Sequence, residues 1–492
     1  MLTHRERVQA VLRGESLDRP AISLWHHFPG QDDTPEKLTA ATVAFQREYD
    51  VDLVKLMPTG MYSVIDYGVT VELSEDTIGS TRYVAGPIQQ PDDWARLPAV
   101  SPERGMLRDQ VEVVRRVRAA LGPDVPIVQT IFSPLTMATK VVGTNEALVA
   151  AIQSDESALR EGLARMALDV IAFGRACLDA GADGFFFATQ LATRSALPDG
   201  VYRRLGVPYD LQVLRALRSG AWFTVLHLHG LEPLIELAQE YPVDAVNWHD
   251  RETEPGLTAA LGKTVRTLVA GIERMGAVVN GSPEESAAQV RDAIAQTGGR
   301  RLIVAPGCVI PTNAPAANLR AMRRAVDEAT VEPDSARPAI DGRVANIFIA
   351  PTAGKSPEPA TTVNVRAGYG IVGDRYEAGV GTWSDLPGGG RDLTLIAHED
   401  LDAMTRESGI TLQPADSRRN VLTTGVDVGS LVGRRFRIGN VTMQGIRLCQ
   451  PCSYLEAKTT PGVLKALVDR GGLRVDVLTD GTIAVGDQVA DA

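Results

Sequence analysis

The amino-acid sequence predicts an α/β protein, a (β/α)8 TIM barrel followed by a smaller, mostly β domain with a β-barrel fold. Three observations predict this architecture. Short apolar runs alternate with helical segments through the first two thirds of the chain. No glycine-rich phosphate loop follows an early run, as would be usual in a doubly wound open sheet. Near residue 340 the pattern changes to closely spaced β-type runs.

The first two thirds supply the strands and helices of the predicted barrel. The apolar runs are bounded by Gly, Pro or Asp and read AISLWHHF, VDLVKLM, PIVQTIFS, GADGFFFAT, WFTVLHLHG, VDAVNWHD, RTLVAGI and RRLIVAPG. Between them, segments such as PEESAAQVRDAIAQTGG repeat apolar residues at three- and four-residue spacing, which predicts helices. This alternation of strands and helices is typical of a (β/α)8 barrel.

A second domain follows a segment without periodicity. The stretch TVEPDSARPAIDGR is rich in Pro, Asp and Ser and predicts a linker. Beyond it, glycine turns separate the runs VANIFIA, TTVNVRA, DLTLIA, RRFRIG, VTMQGIRL, LRVDVL and TIAVGD, which predicts a compact β-barrel. We therefore assign residues 1–335 to the first domain, 336–342 to the linker and 343–492 to the second domain.

Composition narrows the range of partners and compartments. The 492 residues are 44% hydrophobic, and a formal net charge of -11 argues against nucleic acid as a partner. The N-terminus MLTHRERVQAVLRGESLDRP lacks the apolar core of a signal peptide, and no apolar run approaches the roughly 20 residues that span a bilayer. We expect a cytoplasmic protein without a membrane partner, whose four cysteines remain thiols.

Residues of the types that bind metal ions lie at the predicted strand ends of the first domain. His227 and His229 are two residues apart and therefore project to one face of a strand. Cys308 follows the last predicted strand, and residues after strand ends gather at the catalytic rim of such a barrel. Two imidazoles and one thiolate with an open fourth position are the ligand count of a catalytic zinc site. The alternative is two hydrogen-bonded pocket histidines and a small buried cysteine.

Three further histidines end predicted strands. His249, beside Asp250, is a candidate for a fourth ligand, a proton carrier or neither. His26 and His27 follow the first strand and are candidates for touching substrate.

Three segments of the first domain follow one another in a recognisable order, namely GADGFFFATQ...VYRRLGVPYDLQVL, LHLHGLEPLIELAQEYPVDAVNW and APGCVIPTNAPAANLRAM. In these segments the domain resembles the uroporphyrinogen decarboxylase superfamily, and the resemblance covers residues 1 to 330. It implies a (β/α)8 barrel with a tetrapyrrole-sized cleft. True decarboxylases carry an arginine-rich segment after the first strand and an Asp after the second. Here LWHHFPGQDD has no arginine, Val64 stands at the Asp position, and Asp66 lies two residues further on.

The sequence is more similar to the methylcobamide:thiol methyltransferase branch of that superfamily. This branch carries a His-x-Cys motif and a distant Cys that bind zinc, and the matching positions are His227, His229 and Cys308, with His229 in place of a Cys. The resemblance implies that zinc lowers the pKa of a substrate thiol, whose thiolate attacks a methyl group on a corrinoid. It also implies a corrinoid protein as partner and is compatible with a homodimer.

Two cysteines of the second domain, Cys449 and Cys452, form a C-x-x-C pair in GIRLCQPCSYLE. A thioredoxin-like pair opens a helix in a βαβ unit, whereas this pair follows a β-type run. A structural zinc site needs a second Cys or His pair, and the one histidine of this domain is His398. Neither interpretation has its usual sequence context.

Four segments of the second domain follow one another in a recognisable order, namely GYGIVGDRY, GGGRDLTLIAHEDLDAM, RRNVLTTGVDVGSLVGRRFRIGNVTMQGIRLCQPCSYLE and GGLRVDVLTDGTIAVGD. In this order the domain resembles MOSC domains, which are named after the C-terminus of molybdenum cofactor sulfurase. The resemblance implies a cysteine that ligates molybdenum or carries a persulfide, at Cys452, with Cys449 as a second candidate.

The same resemblance suggests where a molybdopterin would be held. Its phosphate and pterin amides would contact Arg375, Arg418, Arg419 and Asn420, because guanidinium groups match phosphate oxygens. The alternative for Arg418 and Arg419 is a solvated turn.

Together these observations predict a two-domain enzyme. The barrel acts on a tetrapyrrole, corrinoid or thiol, with methyl transfer to a thiol favoured, and the second domain handles molybdenum cofactor or persulfide sulfur supplied by a partner such as a cysteine desulfurase. One alternative is a uroporphyrinogen decarboxylase in which Asp66 replaces the usual acid. Another is a silent barrel that serves as a platform for a sulfur carrier or reductase.

Overall fold

The structure is a computed structural model of the 492-residue chain. It describes all residues except 16, 74–75, 80, 265, 330–338, 383, 385–389 and 469. The chain divides into two compact units, one of Met1–Ala259 with Arg266–Glu332 and the other of Pro333–Ala492 with Ala260–Val265.

The first unit is built on an eight-stranded parallel sheet in the order β1-β10-β9-β8-β7-β6-β5-β2. Its strands are β1 (Ala21–Ile22), β2 (Val54–Leu56), β5 (Ile127–Phe132), β6 (Gly184–Thr189), β7 (Phe223–Leu228), β8 (Ala245–Trp248), β9 (Thr267–Ile272) and β10 (Leu302–Pro306). A short hairpin, β3 (Thr70–Leu73) with β4 (Thr81–Ala85), stands apart from this sheet. The two end strands meet where the amide of Asp52 donates to the Ile22 carbonyl over 2.8 Å.

Helices surround this sheet and connect its strands. They are α1 (His4–Arg13), α2 (Pro35–Tyr49), α3 (Tyr62–Ile65), α4 (Gly105–Leu121), α5 (Pro134–Val142), α6 (Asn145–Asp179), α7 (Asp199–Leu205), α8 (Val207–Leu217), α9 (Leu237–Glu240), α10 (Leu257–Lys263), α11 (Ala277–Asn280), α12 (Pro283–Thr297) and α13 (Ala316–Glu328). A 3-10 turn spans Pro91–Arg96.

Local sequence explains why these elements begin and end where they do. Helix α12 starts with a capping box, in which Ser282 and Glu285 satisfy each other's backbone amides, and Pro283 occupies its first turn. It ends at Gly298, whose φ of 63° is the left-handed conformation of a helix C-cap. Every residue of β5, β6, β7, β9 and β10 is buried, as expected for a parallel sheet covered by helices.

The second unit is a closed β-barrel. Its strands are β11 (Asp341–Ile349), β12 (Glu358–Ala360), β13 (Thr362–Arg366), β14 (Gly370–Ile371), β15 (Leu393–Ala397), β16 (Val421–Thr424), β17 (Arg435–Ile438), β18 (Val441–Leu448), β19 (Leu473–Val477), β20 (Gly481–Ala484) and β21 (Gln488–Asp491). The ring runs β11-β16-β15-β19-β18-β17-β21 and closes by pairing of β21 with β11. Full closure leaves no exposed sheet edge in this ring.

The barrel of the second unit has an apolar interior and a smaller outer apolar cluster. Phe436, Met443 and Val475 are among the buried side chains of the interior. Three helices accompany the strands, α14 (His398–Ser408), α15 (Ser453–Lys458) and α16 (Val463–Ala466). Met404 and Leu467 of the outer cluster pack beside Leu422 of β16.

The observed strands confirm the predicted fold class. Each of the eight apolar runs in the first two thirds contains one strand of the parallel sheet, and all seven runs of the last third contain a strand. The predicted linker lies partly outside the described residues, and β11 begins at Asp341, so the exact domain boundaries remain a prediction. In the described part of the chain, no helix is long and apolar enough to cross a membrane.

Candidate metal centre

Three imidazoles and one thiol meet at the carboxyl end of the parallel sheet. His227 is the fifth residue of β7 and His229 follows that strand, while His249 directly follows β8. Cys308 follows β10 after a single glycine. Because all eight strands are parallel, their carboxyl ends lie at one mouth of the barrel, and the topology brings these distant residues together.

The donor atoms of these side chains lie within reach of one ion. The Cys308 Sγ is 3.8 Å from His227 Nε2 and 3.6 Å from His229 Nδ1. The Nε2 of His249 is 3.4 Å from His229 Nδ1. One donor atom from each of the four lies within 4.8 Å of every other. The set contains the three residues that the sequence predicts as metal ligands and adds His249, whose role the sequence left open.

Asn247 fixes the orientation of His227. Its side-chain nitrogen donates to the carbonyls of Val269, over 2.5 Å, and Pro306, over 3.0 Å. The amide oxygen therefore faces His227 Nδ1 at 2.6 Å and can only accept. His227 must carry its proton on Nδ1, which leaves the Nε2 lone pair directed toward Cys308. Such a partner is what metal-binding histidines ordinarily have.

A carboxylate holds His249 in the same way. The Nδ1 of His249 lies 3.2 Å from Glu252 Oε2, and the other oxygen of Glu252 lies 3.3 Å from Arg274 Nε. Glu252 thus holds the His249 ring in place, and Arg274 balances the negative charge of the Glu252 carboxylate.

The electrostatics of the group favour a thiolate. Burial opposes ionisation of the Cys308 thiol, but the charge and hydrogen bonds of His229, His227 and His249 outweigh it and hold its pKa well below the usual range. Burial lowers the pKa of His227, which keeps that imidazole neutral. Burial opposes protonation of His249, but Cys308 and Glu252 raise its pKa to about 9, so this imidazole gives up a proton when it binds a metal. Neutral imidazoles and a thiolate are the donor forms that bind zinc. The residues present therefore fit a zinc ion.

A small cavity opens beside this group. It has a volume of about 90 Å³ and is lined by Trp25, His27, Lys55, Met57, Pro58, Gly60, Thr130, Phe132, Phe186, Ala188, Gln190, His227, Cys308 and Val309. No carboxylate is among these lining residues.

Lys55 brings a buried amino group into this cavity. It belongs to β2 and is only 7% exposed. Its Nζ lies 2.6 Å from the Met57 sulfur and 4.5 Å from the centroid of Phe186, and no described carboxylate forms an ion pair with it. Burial lowers the pKa of Lys55 to about 7. Sequence reasoning missed this residue, although a lysine inside the apolar run VDLVKLM is a readable signal.

The two histidines after β1 have different surroundings. His27 lines the cavity, and its buried Nδ1 has no hydrogen-bond partner among the described residues. His26 packs against Phe28 and Phe45 at ring-centroid distances of 4.7 and 4.8 Å. Of these two histidines, His27 is therefore the one in a position to touch a ligand in this cavity.

The two cysteines of the second unit also differ in their surroundings. Cys449 is 2% exposed, and the thiol pKa is lowered because the charges of Arg419, Arg474 and Arg447 outweigh the opposing effect of burial. Cys452 precedes α15 and packs against the outer apolar cluster. Electrostatics therefore favour a thiolate at Cys449, which the sequence placed second.

The residues predicted to hold a molybdopterin are mostly engaged within the fold. Arg419 donates to three carbonyls, those of Gly471, Ser417 and Cys449. The Asn420 side-chain amide accepts a hydrogen bond from the Thr394 hydroxyl and donates one to the Asp374 carboxylate.

The remaining two arginines are also engaged. Arg375 pairs with Asp374 at 3.1 Å, and Arg418 donates to the Lys355 carbonyl over 2.9 Å. In this arrangement each of the four side chains has a partner within the fold, and their contact with a molybdopterin stays a prediction.

Comparison with known proteins decides the family. Residues 3–329 match the family model described as "Uroporphyrinogen decarboxylase (URO-D)". The chain belongs to the uroporphyrinogen decarboxylase (URO-D) family. Residues 385–490 match the model of the MOSC domain, so this URO-D protein carries a C-terminal MOSC domain. Both resemblances inferred from the sequence are confirmed.

Similar proteins of the URO-D barrel include methyltransferases. "Methylcobamide:CoM methyltransferase MtaA" of Methanosarcina barkeri is 26% identical over 350 residues, covering 66% of this chain and 98% of that protein. "Methylcobamide:CoM methyltransferase MtbA" of Methanosarcina mazei is 22% identical over 340 residues, covering 65% and 96%. The solved structure of a "methyltransferase from Methanosarcina mazei" aligns with a TM-score of 0.59 at 19% identity, covering 67% of this chain and 99% of that one.

Asp66, the acid considered for a decarboxylase in this URO-D protein, caps a helix. Its carboxylate oxygens accept from the amides of Met106, over 3.0 Å, and Leu107, over 3.1 Å, at the start of α4. Gly105, with a φ of 62°, gives the carboxylate room, because a Cβ there would collide with it. The structure does not bring Asp66 to the cavity lined by His227 and Cys308.

Proposed function

We propose that the barrel transfers a methyl group from a corrinoid to a thiol, with zinc at its His and Cys group. The observation that carries this proposal is the meeting of the His227, His229, His249 and Cys308 donor atoms at one end of a small cavity. The printed names of MtaA and MtbA, which describe methyl transfer from a methylcobamide, support the same reaction class.

The metal would be held by His227, His229 and Cys308, with His249 as a further donor. Zinc bound there lowers the pKa of a thiol and favours its nucleophilic thiolate form.

The surrounding residues prepare the site. Asn247 keeps the lone pair of His227 directed inward, and Phe186 stacks on the His227 ring with a centroid distance of 5.1 Å. Trp25 packs edge-on against Phe186 at 5.5 Å, so aromatic side chains exclude water from one side of the group. In its protonated form Lys55 adds a positive charge to this apolar wall and favours an anionic thiolate over the neutral thiol.

Cavity size favours a thiol over a tetrapyrrole as the enclosed substrate. About 90 Å³ is well below the roughly 300–1,000 Å³ of pockets that enclose drug-sized ligands. A short thiol fits this volume, whereas a porphyrinogen does not. The missing acid and arginine positions of the decarboxylase branch agree with this choice.

Full-length protein loaded with zinc, methylcobalamin and a short thiol tests the proposal. We expect stoichiometric zinc and formation of the methyl thioether, with both lost in His227→Ala. Cys177→Ala removes a fully buried cysteine on α6 and is the matched control that keeps both. Decarboxylation of uroporphyrinogen by zinc-loaded protein that leaves thiols unmethylated would overturn the proposal.

We propose that the MOSC domain handles sulfur. The charges around Cys449 and the engagement of Arg419 and Asn420 within the fold support sulfur carriage. A soft thiolate also suits molybdenum, which keeps the molybdenum cofactor as a second candidate. Elemental and molybdopterin analysis beside a cyanolysis assay distinguishes the two. Cyanolysable sulfur without molybdenum supports carriage, and stoichiometric molybdopterin contradicts it.

A further inference from the structure

Two arginines face each other across a pair of strands in the second unit. Arg447 of β18 lies directly opposite Arg474 of β19 in an antiparallel ladder. Directly opposite residues share one face of a sheet, and like charges in that position destabilise the pairing. Arg474 alternates with the buried Leu473 and Val475, so the arginine pair lies on the face away from the apolar interior.

A third guanidinium adds to the charge of this face. Arg391 precedes β15 by two residues, and Arg474 is among the charges that lower the pKa of its guanidinium, after the larger effect of burial. Burial and Arg474 likewise lower the pKa of Arg447 to about 10. Asp476 contributes one opposing negative charge, and its carboxylate also accepts from the Gly390 amide over 2.5 Å.

The two facing arginines have unused donors. Among the described residues, Arg447 forms no hydrogen bond or ion pair. Arg474 reaches the Gly390 carbonyl at 3.5 Å, the limit of hydrogen-bond distance. Half-buried guanidinium groups with free donors and excess positive charge are the recognition chemistry of an oxyanion.

Cys449 shares this face with the arginines. It follows Arg447 by two residues, and its amide donates to the Gly472 carbonyl over 2.6 Å, which extends the ladder of β18 and β19. Residues two apart on a strand point to the same side. The positive charge of Arg474 also favours the thiolate form of Cys449. A sulfur nucleophile and an oxyanion-binding group are therefore neighbours.

We propose that Cys449 accepts sulfane sulfur from a small donor of the thiosulfate class, whose sulfonate oxygens are held by Arg447 and Arg474. Thiosulfate joins an oxyanion and a transferable sulfur in one molecule, and the site offers a complementary group for each. The inference rests on the proposed sulfur handling of the MOSC domain and names its donor. Because Cys449 is 2% exposed, a small anion suits it better than a persulfide carried by a protein such as a cysteine desulfurase.

The transfer balances without a further reactant. The Cys449 thiolate attacks the outer sulfur of thiosulfate and forms a new S–S bond. The bond between the two sulfur atoms of thiosulfate breaks, and sulfite leaves with its electron pair, stabilised by the two guanidinium groups. Cys449 becomes a persulfide, and no external oxidant or reductant is consumed.

Reduced full-length protein incubated with thiosulfate tests the proposal. We expect one sulfite released per chain and a gain of one sulfur atom on the peptide that contains Cys449. Cys449→Ser should abolish both readouts, and Cys452→Ser should retain them. Since a charge-assisted hydrogen bond contributes about 1.5–3 kcal/mol, Arg447→Gln should slow sulfite release about 10- to 100-fold.

Matched variants separate binding from folding. Arg435→Gln removes an exposed arginine of β17 and should leave the rate unchanged, and Arg447→Lys should restore part of it. Circular dichroism of each variant checks that the barrel remains folded.

The outcomes also separate this inference from the proposed function. Sulfur on Cys452 instead, or transfer at an equal rate in folded Arg447→Gln, overturns the assignment of Cys449 and the arginines. No transfer from thiosulfate overturns the inference, and the MOSC proposal then stands only if cyanolysable sulfur is found on the purified protein. If that sulfur is also missing, both fail.

Discussion

Cys308 of the barrel and Cys449 of the MOSC domain are two thiols whose ionisation is favoured by different neighbouring groups. Imidazoles surround Cys308, and guanidinium groups surround Cys449. Both arrangements lower the thiol pKa, yet they allow different ligands. An imidazole nitrogen has a lone pair that binds a metal, whereas a guanidinium group only donates. The surroundings of Cys308 therefore favour metal binding, and those of Cys449 favour binding of an anion.

The largest expected effect is on the zinc affinity of the barrel, and it tests whether Cys308, unlike Cys449, binds a metal. Cys308→Ala removes a donor that lies within 3.8 Å of two imidazole nitrogens. Changes even to the partners of metal ligands cost 10- to 100-fold, so we expect zinc affinity to fall by more than about 100-fold. Competition with a chromophoric chelator measures the change.

Cys449→Ala provides the matched comparison, because guanidinium groups bind no zinc. It should leave the zinc affinity unchanged. Equal loss of zinc in both variants would remove the distinction between the two thiols.

The next effect concerns Asn247, which orients His227. Asn247→Leu removes the acceptor of the Nδ1 proton, so the imidazole is free to adopt the wrong tautomer. We expect a 10- to 100-fold loss of zinc affinity, the usual cost of removing such a partner.

Asn318→Leu is the control for loss of a buried amide. Asn318 donates to the carbonyls of Val278 and Gly281 and touches none of the four metal-centre residues. It should lower stability without changing zinc affinity. Unchanged zinc affinity in folded Asn247→Leu would mean that the amide does not position the ligand.

The pH dependence of alkylation sharpens the other half of the comparison. A lowered thiol pKa keeps the reactive thiolate at lower pH, so the midpoint for Cys449 should lie below the ordinary value of about 8.5. Arg474→Gln removes one stabilising charge and should raise that midpoint by about one unit. Iodoacetamide rates at the peptide that contains Cys449, measured by mass spectrometry in a Cys452→Ser background, report it.

Arg435→Gln serves as the charge control for that titration. The exposed side chain of Arg435 lies on β17, and its removal should leave the midpoint in place. A midpoint that does not move in Arg474→Gln would contradict the electrostatic account of Cys449.

The smallest effect concerns Asp66, which lies outside both thiol sites. Asp66→Asn weakens the acceptors at the start of α4 and should lower the free energy of unfolding by about 1 kcal/mol, the usual size of a helix cap. Zinc content and methyl transfer should not change. Urea denaturation measures the stability, with Asp109→Asn as control, because Asp109 lies partly exposed on the same helix and, among the described residues, pairs only with its neighbour Arg108. If Asp66→Asn lost activity while its stability stayed unchanged, Asp66 would have a role in the reaction and not only in capping α4.

The sequence predicts the barrel because its signals are local. Buried parallel strands require continuous apolar runs, and helices require three- and four-residue spacing, so each element can be read within its own segment. The i, i+2 relation of His227 and His229 is local in the same sense. In the second unit, β16 lay unrecognised within the quoted run RRNVLTTG because its four residues carry no clear alternation.

The tertiary structure decided which residues from distant strands come into contact. It brought His249 to the metal group and placed the Asn247 amide against the carbonyls of neighbouring strands. Sequence alone determined which side chains end the strands, and it identified three of the four donors. The facing of Arg447 and Arg474 depends on the register of β18 and β19, which includes a bulge. Register follows from packing across the whole sheet, so a local pattern does not determine it.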